Sequence, residues 1–195
     1  AAECCRSIRT NILFMSPDHP PRRLLVTSAS PQEGKTTVAI SLAITMAQSG
    51  ARVVIVDSDM RRPRVHTAFG MDNDEGLSTA VLGTRKVEEL VRPTQVPGLD
   101  LLPCGPIPPN PAELIHTERF REVVAQLERL YDRMVFDSPP VIAVTDPVVD
   151  PTKCRPYAFP KRTEVTAIPG KIQFGQTQGI PQLVSEPGGY ECLPE

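Results

Sequence analysis

Residues 24–37 read Leu24-Leu25-Val26-Thr27-Ser28-Ala29-Ser30-Pro31-Gln32-Glu33-Gly34-Lys35-Thr36-Thr37. The stretch begins as a short apolar strand, Leu24 to Ser28, continues as a turn-rich loop, and enters a helix at Thr36. Gly34-Lys35-Thr36 supplies the G-K-[ST] end of a P-loop, and Ala29 stands where the first glycine of G-x-x-x-x-G-K-[ST] belongs. Backbone N–H groups of such a loop and of the following helix N-terminus converge on one concavity suited to phosphate oxygens. The cradle runs through Pro31, Gln32, Glu33, Gly34, Lys35, Thr36 and Thr37. Gly34 lets the backbone approach, Lys35 reaches the terminal phosphates, and the Thr36 hydroxyl is a Mg²⁺ ligand. A chance GKT at an ordinary helix start is the bland alternative. The strand–loop–helix context favours a nucleotide site.

The surrounding chain has room for the domain this motif needs. Its 195 residues, 40% of them hydrophobic, suffice for one α/β domain with a core. A net charge of −2 and a pI near 6.0 give no reason to invoke nucleic acid. Arg22-Arg23 and Arg61-Arg62 are doublets on solvated faces and form no basic stripe. The cysteines, Cys4, Cys5, Cys104, Cys154 and Cys192, lack C-x-x-C spacing or a metal pattern, as suits a reducing cytoplasm. No apolar run approaches the ~20 residues of a membrane span, and no signal peptide is recognisable. Residue 1 is Ala, which leaves room for an upstream segment, including one that attaches the chain to a membrane.

Upstream of the P-loop, residues 1–15 read as a helix with Ile8, Ile12 and Leu13 as its apolar positions. Glu3, Arg6 and Arg9 recur every third residue and so share one side of it. On spacing alone they are an intrahelical ion pair on a solvated face, with a subunit interface as the alternative. Residues 16–21, SPDHPP, make a proline-broken connection to the first strand. After the P-loop, residues 36–49 form a helix apolar on most sides and closed by Gly50, as expected of one packed on a sheet.

Val53 to Val56 is a β-branched run suited to a strand buried on both faces, and it ends in Asp57-Ser58-Asp59-Met60-Arg61. Ligands of open α/β sheets sit beyond the carboxyl ends of the strands, so both carboxylates face the P-loop crevice. One such Asp alone could be a helix cap, but the D-x-D pair reads as functional. Short helices are expected from Gly76 to about Gly83 and over residues 87–91, and a strand over 99–102. Residues 103–111 contain enough proline to form a rigid loop near the strand ends, either shaping a site or merely connecting. Residues 118–132 form an amphipathic helix with Phe120, Val123, Val124, Leu127, Leu130 and Tyr131 as its core stripe. Met134-Val135-Phe136 is a buried strand that delivers Asp137, which is suited to Mg²⁺, usually through a water, or else is a cap or turn residue.

Together these motifs resemble the bacterial tyrosine kinases that regulate capsule and exopolysaccharide synthesis. ASPQEGKTT is similar to their Walker A, VVIVDSDMR to their Walker A′, and MVFDSPP to their Walker B. Glu3-x-x-Arg6-x-x-Arg9 resembles the family's E-x-x-R-x-x-R oligomerisation element, and Gly105 to Pro111 its G-x-x-P-P-N-P loop. The partition and septum-site ATPases share the fold, but D-x-D-x-R with P-P-N-P favours the kinases. The resemblance covers residues 3 to 149. It implies ATP- and Mg²⁺-dependent tyrosine autophosphorylation, with Lys35 and the loop amides on the phosphates and Thr36 and Asp137 on the metal. It further implies that Asp59 assists the metal through water, that Asp57 is the base toward the tyrosine hydroxyl, and that Glu3, Arg6 and Arg9 form an oligomer interface. With an unperturbed carboxylate pKa, Asp57 is a weak base for a group near ~10, so positioning and charge neutralisation must carry most of the catalysis. Implied partners are a membrane polysaccharide copolymerase or chain-length determinant, upstream in the same chain or a separate adaptor, and a phosphotyrosine phosphatase. Implied localisation is cytoplasmic, at the inner face of the plasma membrane.

Three departures accompany the resemblance. Gln32 stands where the family has glycine, so a positive φ there brings strain. The C-terminal tyrosine cluster is missing, with only Tyr157 and Tyr190 late in the chain. Residues 150–195 are rich in Pro and Gly, with neither a helical stripe nor a long apolar strand, and are expected to be disordered or out of frame. The expected fold is therefore an α/β P-loop NTPase over residues 1–149, with a mostly parallel sheet flanked by helices and incomplete at its C-terminus. Without the tail's strands, the strand carrying Asp137 is expected to lose a neighbour. The rival functions are an ATPase switch of the partition or septum-site type, and a truncated, inactive nucleotide-binding fragment.

Overall fold

Apolar residues on four strands, buried on both faces of one sheet, organise the molecule. The computed structural model describes residues 2–140 and the backbone of residues 163–167, 173–177 and 180–184. Helix α1 (Ala2–Phe14) precedes β1 (Arg23–Thr27), α2 (Lys35–Ala47) and β2 (Val53–Asp57). Three short helices follow, α3 (Val65–Ala68), α4 (Leu77–Val81) and α5 (Val87–Leu90), then β3 (Arg92–Pro93) and β4 (Leu99–Leu102). Helices α6 (Pro111–Ile115) and α7 (Glu118–Leu130) lead to β5 (Arg133–Asp137). Beyond it the backbone forms β6 (Thr163–Ala167), β7 (Gln173–Thr177) and β8 (Ile180–Val184).

The main sheet has the order β3-β4-β2-β5-β1-β6. Every neighbouring pair is parallel except β3 with β4. Because successive strand residues face opposite sides, β1, β2, β4 and β5 each feed two cores. Leu25, Val54, Val56, Leu102, Met134 and Phe136 pack under α4, α5 and α7 around Phe120, Val123, Val124 and Leu127. Leu24, Val26, Val53, Ile55, Leu101 and Val135 pack on the other face against α2 through Ala39, Leu42, Ala43 and Met46, with Ile12 of α1 outside them. Burying a side chain such as Phe120 contributes about 1.5–3 kcal/mol, so this doubly covered sheet is a rigid platform for whatever its strand ends carry.

The expected α/β fold is present, with three differences of detail. The α7 stripe stops short: the helix ends at Leu130, which is 38% exposed, because Tyr131 turns extended at φ −122°, ψ 145°. The strand carrying Asp137 loses no neighbour, since β5 lies between β2 and β1. It is the P-loop strand β1 whose outer edge is paired by the tail, through β6. The expectation of a disordered or out-of-frame tail falls mostly outside the described residues. Within them, β7 and β8 form a separate antiparallel pair.

Candidate active site

All the strands that bear the predicted carboxylates end at one edge of the sheet. Between β1 and α2 the loop turns tightly, with the Glu33 carboxylate accepting from the Ala29 N–H at 3.1 Å and Ser28 Oγ donating to the Ser30 carbonyl at 2.9 Å. The expected strain at Gln32 is real: its φ is +67°, and it is the non-glycine residue with positive φ among the described residues. Gly34 follows at φ +83° and precedes the first residue of α2 with no side chain capping that helix. The first-turn N–H groups of α2 are thus left for an external acceptor, the arrangement that binds anions.

Lys35 Nζ lies 3.0 Å from Asp59 Oδ2 and 3.6 Å from Asp137 Oδ1. Thr36 Oγ1 donates to Asp137 Oδ2 at 2.7 Å. Four predicted residues from three distant segments thereby form one contiguous cluster. Asp59 is oriented by a turn of its own, its Oδ1 accepting from the N–H groups of Arg61 (3.3 Å) and Arg62 (3.0 Å). That turn gives the D-x-D-x-R order its local logic, since the carboxylate beyond the strand end organises the backbone two and three positions on.

Asp57 plays two parts with its two oxygens. Oδ2 accepts from the N–H groups of Arg64 and Val65, both at 3.0 Å, and so caps α3. Oδ1 is buried with no hydrogen-bond partner. The cap reading thus holds for Oδ2, while Oδ1 is left without a partner at the strand end. Burial, then the facing charge of Asp137, pushes the Asp57 carboxyl up to about 7. Burial likewise raises Asp137 to about 6, against the opposing pull of Lys35. The expectation of an unperturbed base at Asp57 is corrected accordingly: desolvation makes it a stronger proton acceptor.

The donor set fits a hard divalent cation. Asp137 Oδ1 is buried without a hydrogen bond and the Thr36 hydroxyl touches the same carboxylate. Among the described residues no three His, Cys, Asp or Glu side chains gather into a cage. Two protein oxygens with the remaining positions left to phosphate and water is the usual arrangement for Mg²⁺.

Other predicted residues lie elsewhere. Glu3 and Arg6 are exposed on α1, away from the cluster, whereas Arg9 is partly buried and donates to the Thr45 carbonyl of α2 at 2.8 Å. Sequence reading missed Ser58, whose N–H and Oγ both donate to the Asp137 carbonyl, at 2.9 and 2.7 Å, tying β2 to β5 beneath the site. It also missed Asn73, whose side-chain amide holds both backbone groups of Gly105. The short polar side chain of Ser58 inside D-S-D was the available signal for the first, and nothing local marked the second.

A P-loop followed by strand-end carboxylates at the edge of a parallel sheet defines the class, a P-loop nucleotide-binding domain. Residues 32–173 match the family described as an AAA domain. Over 145 residues the chain is 43% identical to the tyrosine-protein kinase YwqD of Bacillus subtilis (strain 168), a match covering 74% of this chain and 61% of that protein. Among solved structures, the chimerical protein CapA2B2 is 42% identical with a TM-score of 0.71, covering 74% of this chain and 63% of that one. The septum site-determining protein MinD from Pyrococcus horikoshii OT3, complexed with Mg-ADP, is more distant at 26% identity and a TM-score of 0.53, covering 61% of this chain and 49% of that one. The chain belongs to this AAA-domain P-loop family and, within it, to the bacterial tyrosine-kinase group. It spans about 61% of the length of YwqD.

Proposed function

We propose that this chain is the catalytic domain of an ATP- and Mg²⁺-dependent protein tyrosine kinase serving capsule or exopolysaccharide synthesis. The observation that carries the reading is Asp57, a buried carboxylate with one free oxygen beside the Lys35–Thr36–Asp59–Asp137 cluster. Such an oxygen can take the proton of an attacking tyrosine hydroxyl, a task in which a raised pKa helps. In this reading Lys35 and the amides of residues 31–37 hold the phosphates. Thr36 and Asp137 hold Mg²⁺, with Asp59 assisting through a water, and the cation would neutralise charge on the transferring group. Asp57 Oδ1 takes the proton of the acceptor tyrosine, while the fixed positive charge of Lys35 offsets charge on the phosphoryl oxygens.

By extension from its relatives, the domain self-associates through Glu3, Arg6 and Arg9. It works with a membrane polysaccharide copolymerase or chain-length determinant and is reversed by a phosphotyrosine phosphatase, at the inner face of the plasma membrane. Residues 1–149 are read as the kinase unit. The likeness to MinD favours one other reading, an ATPase switch that transfers nothing to protein. Incubation with γ-labelled ATP and Mg²⁺, followed by separation of labelled protein from free phosphate, decides between them. Alkali-stable, phosphotyrosine-reactive label on protein supports the kinase; free phosphate alone supports the switch.

A further inference from the structure

Strand order sets which segments flank Asp57 at the edge of the sheet. β1, β5, β2 and β4 lie side by side, so their carboxyl ends present in a row the phosphate cradle, Asp137, Asp57 and the loop that leaves β4. At about 4.8 Å per strand, Asp57 stands about 10 Å from the P-loop strand, and the β4 loop one spacing further. On the side of Asp57 away from the phosphate cradle, the next element along this edge is therefore the loop that leaves β4.

What waits there is apolar and stiff. Val56 pairs with Leu102, so the loop Gly105-Pro106-Ile107-Pro108-Pro109-Asn110 starts close to the level of Asp57. Ile107 is 59% exposed, one of few large apolar side chains left open among the described residues. Three prolines fix much of the surrounding backbone, so little conformational freedom remains to be lost on contact.

The loop is also clamped from below. Asn73 Oδ1 accepts from the Gly105 N–H at 2.9 Å and Asn73 Nδ2 donates to the Gly105 carbonyl at 3.0 Å. A single side-chain amide thus pairs both backbone groups of one residue, as a neighbouring strand would. Leu77 and Ser78 N–H groups donate to the carbonyls of Pro103 and Cys104, both at 2.8 Å.

We propose that this proline loop receives the aromatic ring of the acceptor tyrosine against Ile107, and that Asn73 is the residue that positions it. The assignment rests on the tyrosine-kinase reading above. The ligand is a tyrosyl side chain within a peptide segment, and Asn73 acts through Gly105 without touching it.

The test compares the full chain with Asn73→Ala, Asn73→Asp, Ile107→Ala and Ile107→Asp. Phosphorylation of a synthetic tyrosine peptide with Mg-ATP is measured alongside titration of a fluorescent ATP analogue. Expected is a peptide KM raised about tenfold in Asn73→Ala and Ile107→Asp, with kcat and nucleotide affinity within about threefold of the parent. Asn73→Asp, which keeps the acceptor and loses the donor, falls between. Peptide KM unchanged in Ile107→Asp, whose exposed position tolerates the change whatever happens to Asn73→Ala, overturns the proposal. So does a parallel loss of nucleotide affinity, which marks general damage to the sheet edge. A parent that binds the nucleotide analogue but phosphorylates no tyrosine overturns the kinase reading itself, a different result from either.

Discussion

Asp57 and Asp137 are register partners on the adjacent parallel strands β2 and β5, so two carboxylates end side by side in the buried edge of the sheet. Lys35 lies against Asp137 and Asp59, while burial and then the charge of Asp137 raise Asp57 to about 7. A carboxyl whose folded-state pKa exceeds its ordinary value near 4 takes up a proton on folding. Its stabilising contribution is full below that ordinary value and is lost as pH rises through about 7. The same sign holds for Asp137, through about 6.

Asp57→Asn keeps an oxygen for the Arg64 and Val65 N–H groups and removes the charge. The variant should melt about 2–6 °C above the parent at pH 8, with the gap closing toward pH 5. It should bind nucleotide and lose phosphoryl transfer. Scanning fluorimetry across the pH range checks the first point; equal melting at pH 8 would show that Asp57 carries no such cost.

Lys35→Met strips two nearly buried carboxylates of their cation. Breaking such a pair costs about 3–5 kcal/mol, and here the loss should shrink at low pH as the carboxyls take up protons. Nucleotide affinity should fall at least about a hundredfold. Retention of a fluorescent ATP analogue at parental affinity would remove the P-loop assignment.

Gln32 occupies left-handed backbone at φ +67°. A left-handed conformation costs an L-residue roughly 1–2 kcal/mol, and glycine escapes it while losing about 0.5–1 kcal/mol through chain entropy. Gln32→Gly should therefore leave the melting temperature level or slightly raised, whereas Gln32→Val, branched at Cβ, should lower it. A Val variant as stable as the parent would mean that the loop relaxes out of this conformation.

Gly76 abuts the start of the proline loop so closely that an added Cβ would lie 2.1 Å from the Pro103 carbonyl oxygen and 2.6 Å from the Gly105 nitrogen. Both are backbone atoms and cannot step aside cheaply. Gly76→Ala should destabilise the domain by about 3 kcal/mol or more, measured by urea unfolding. A cost under about 1 kcal/mol would show that the two segments separate readily.

Much of this was readable in the chain because the fold and the phosphate site both rest on local patterns. The unbroken apolar runs Leu24–Val26, Val53–Val56 and Met134–Phe136 specify strands with two buried faces, and a strand end followed by G-K-T or D-x-D specifies an edge. The elements that escaped were short or tertiary in origin. Helix α6 had its signal in Pro111 at the first helical position, but α3 exists because Asp57 caps it from eight positions away. The two-residue β3 is held only by β4. The Asn73–Gly105 clamp spans 32 positions, and no periodicity encodes a contact of that kind. Asp57 shows the same limit in one residue: its place was legible, while its pKa depended on burial and on Asp137.

The N-terminal helix allows a sharper assembly test than the E-x-x-R-x-x-R spacing alone. Arg9 donates to the Thr45 carbonyl and so helps to hold α1 on α2, a contact within the fold. Glu3 and Arg6 are exposed, and an exposed charge contributes only about 0–1 kcal/mol to folding. Glu3→Ala with Arg6→Ala should therefore preserve the melting temperature while reducing self-association. Arg9→Ala should lower both, because its loss strands a buried carbonyl. Sedimentation velocity beside thermal melting separates the two effects. An unchanged oligomer in the double variant would leave Glu3 and Arg6 as a solvated face and confine the helix to its packing on α2.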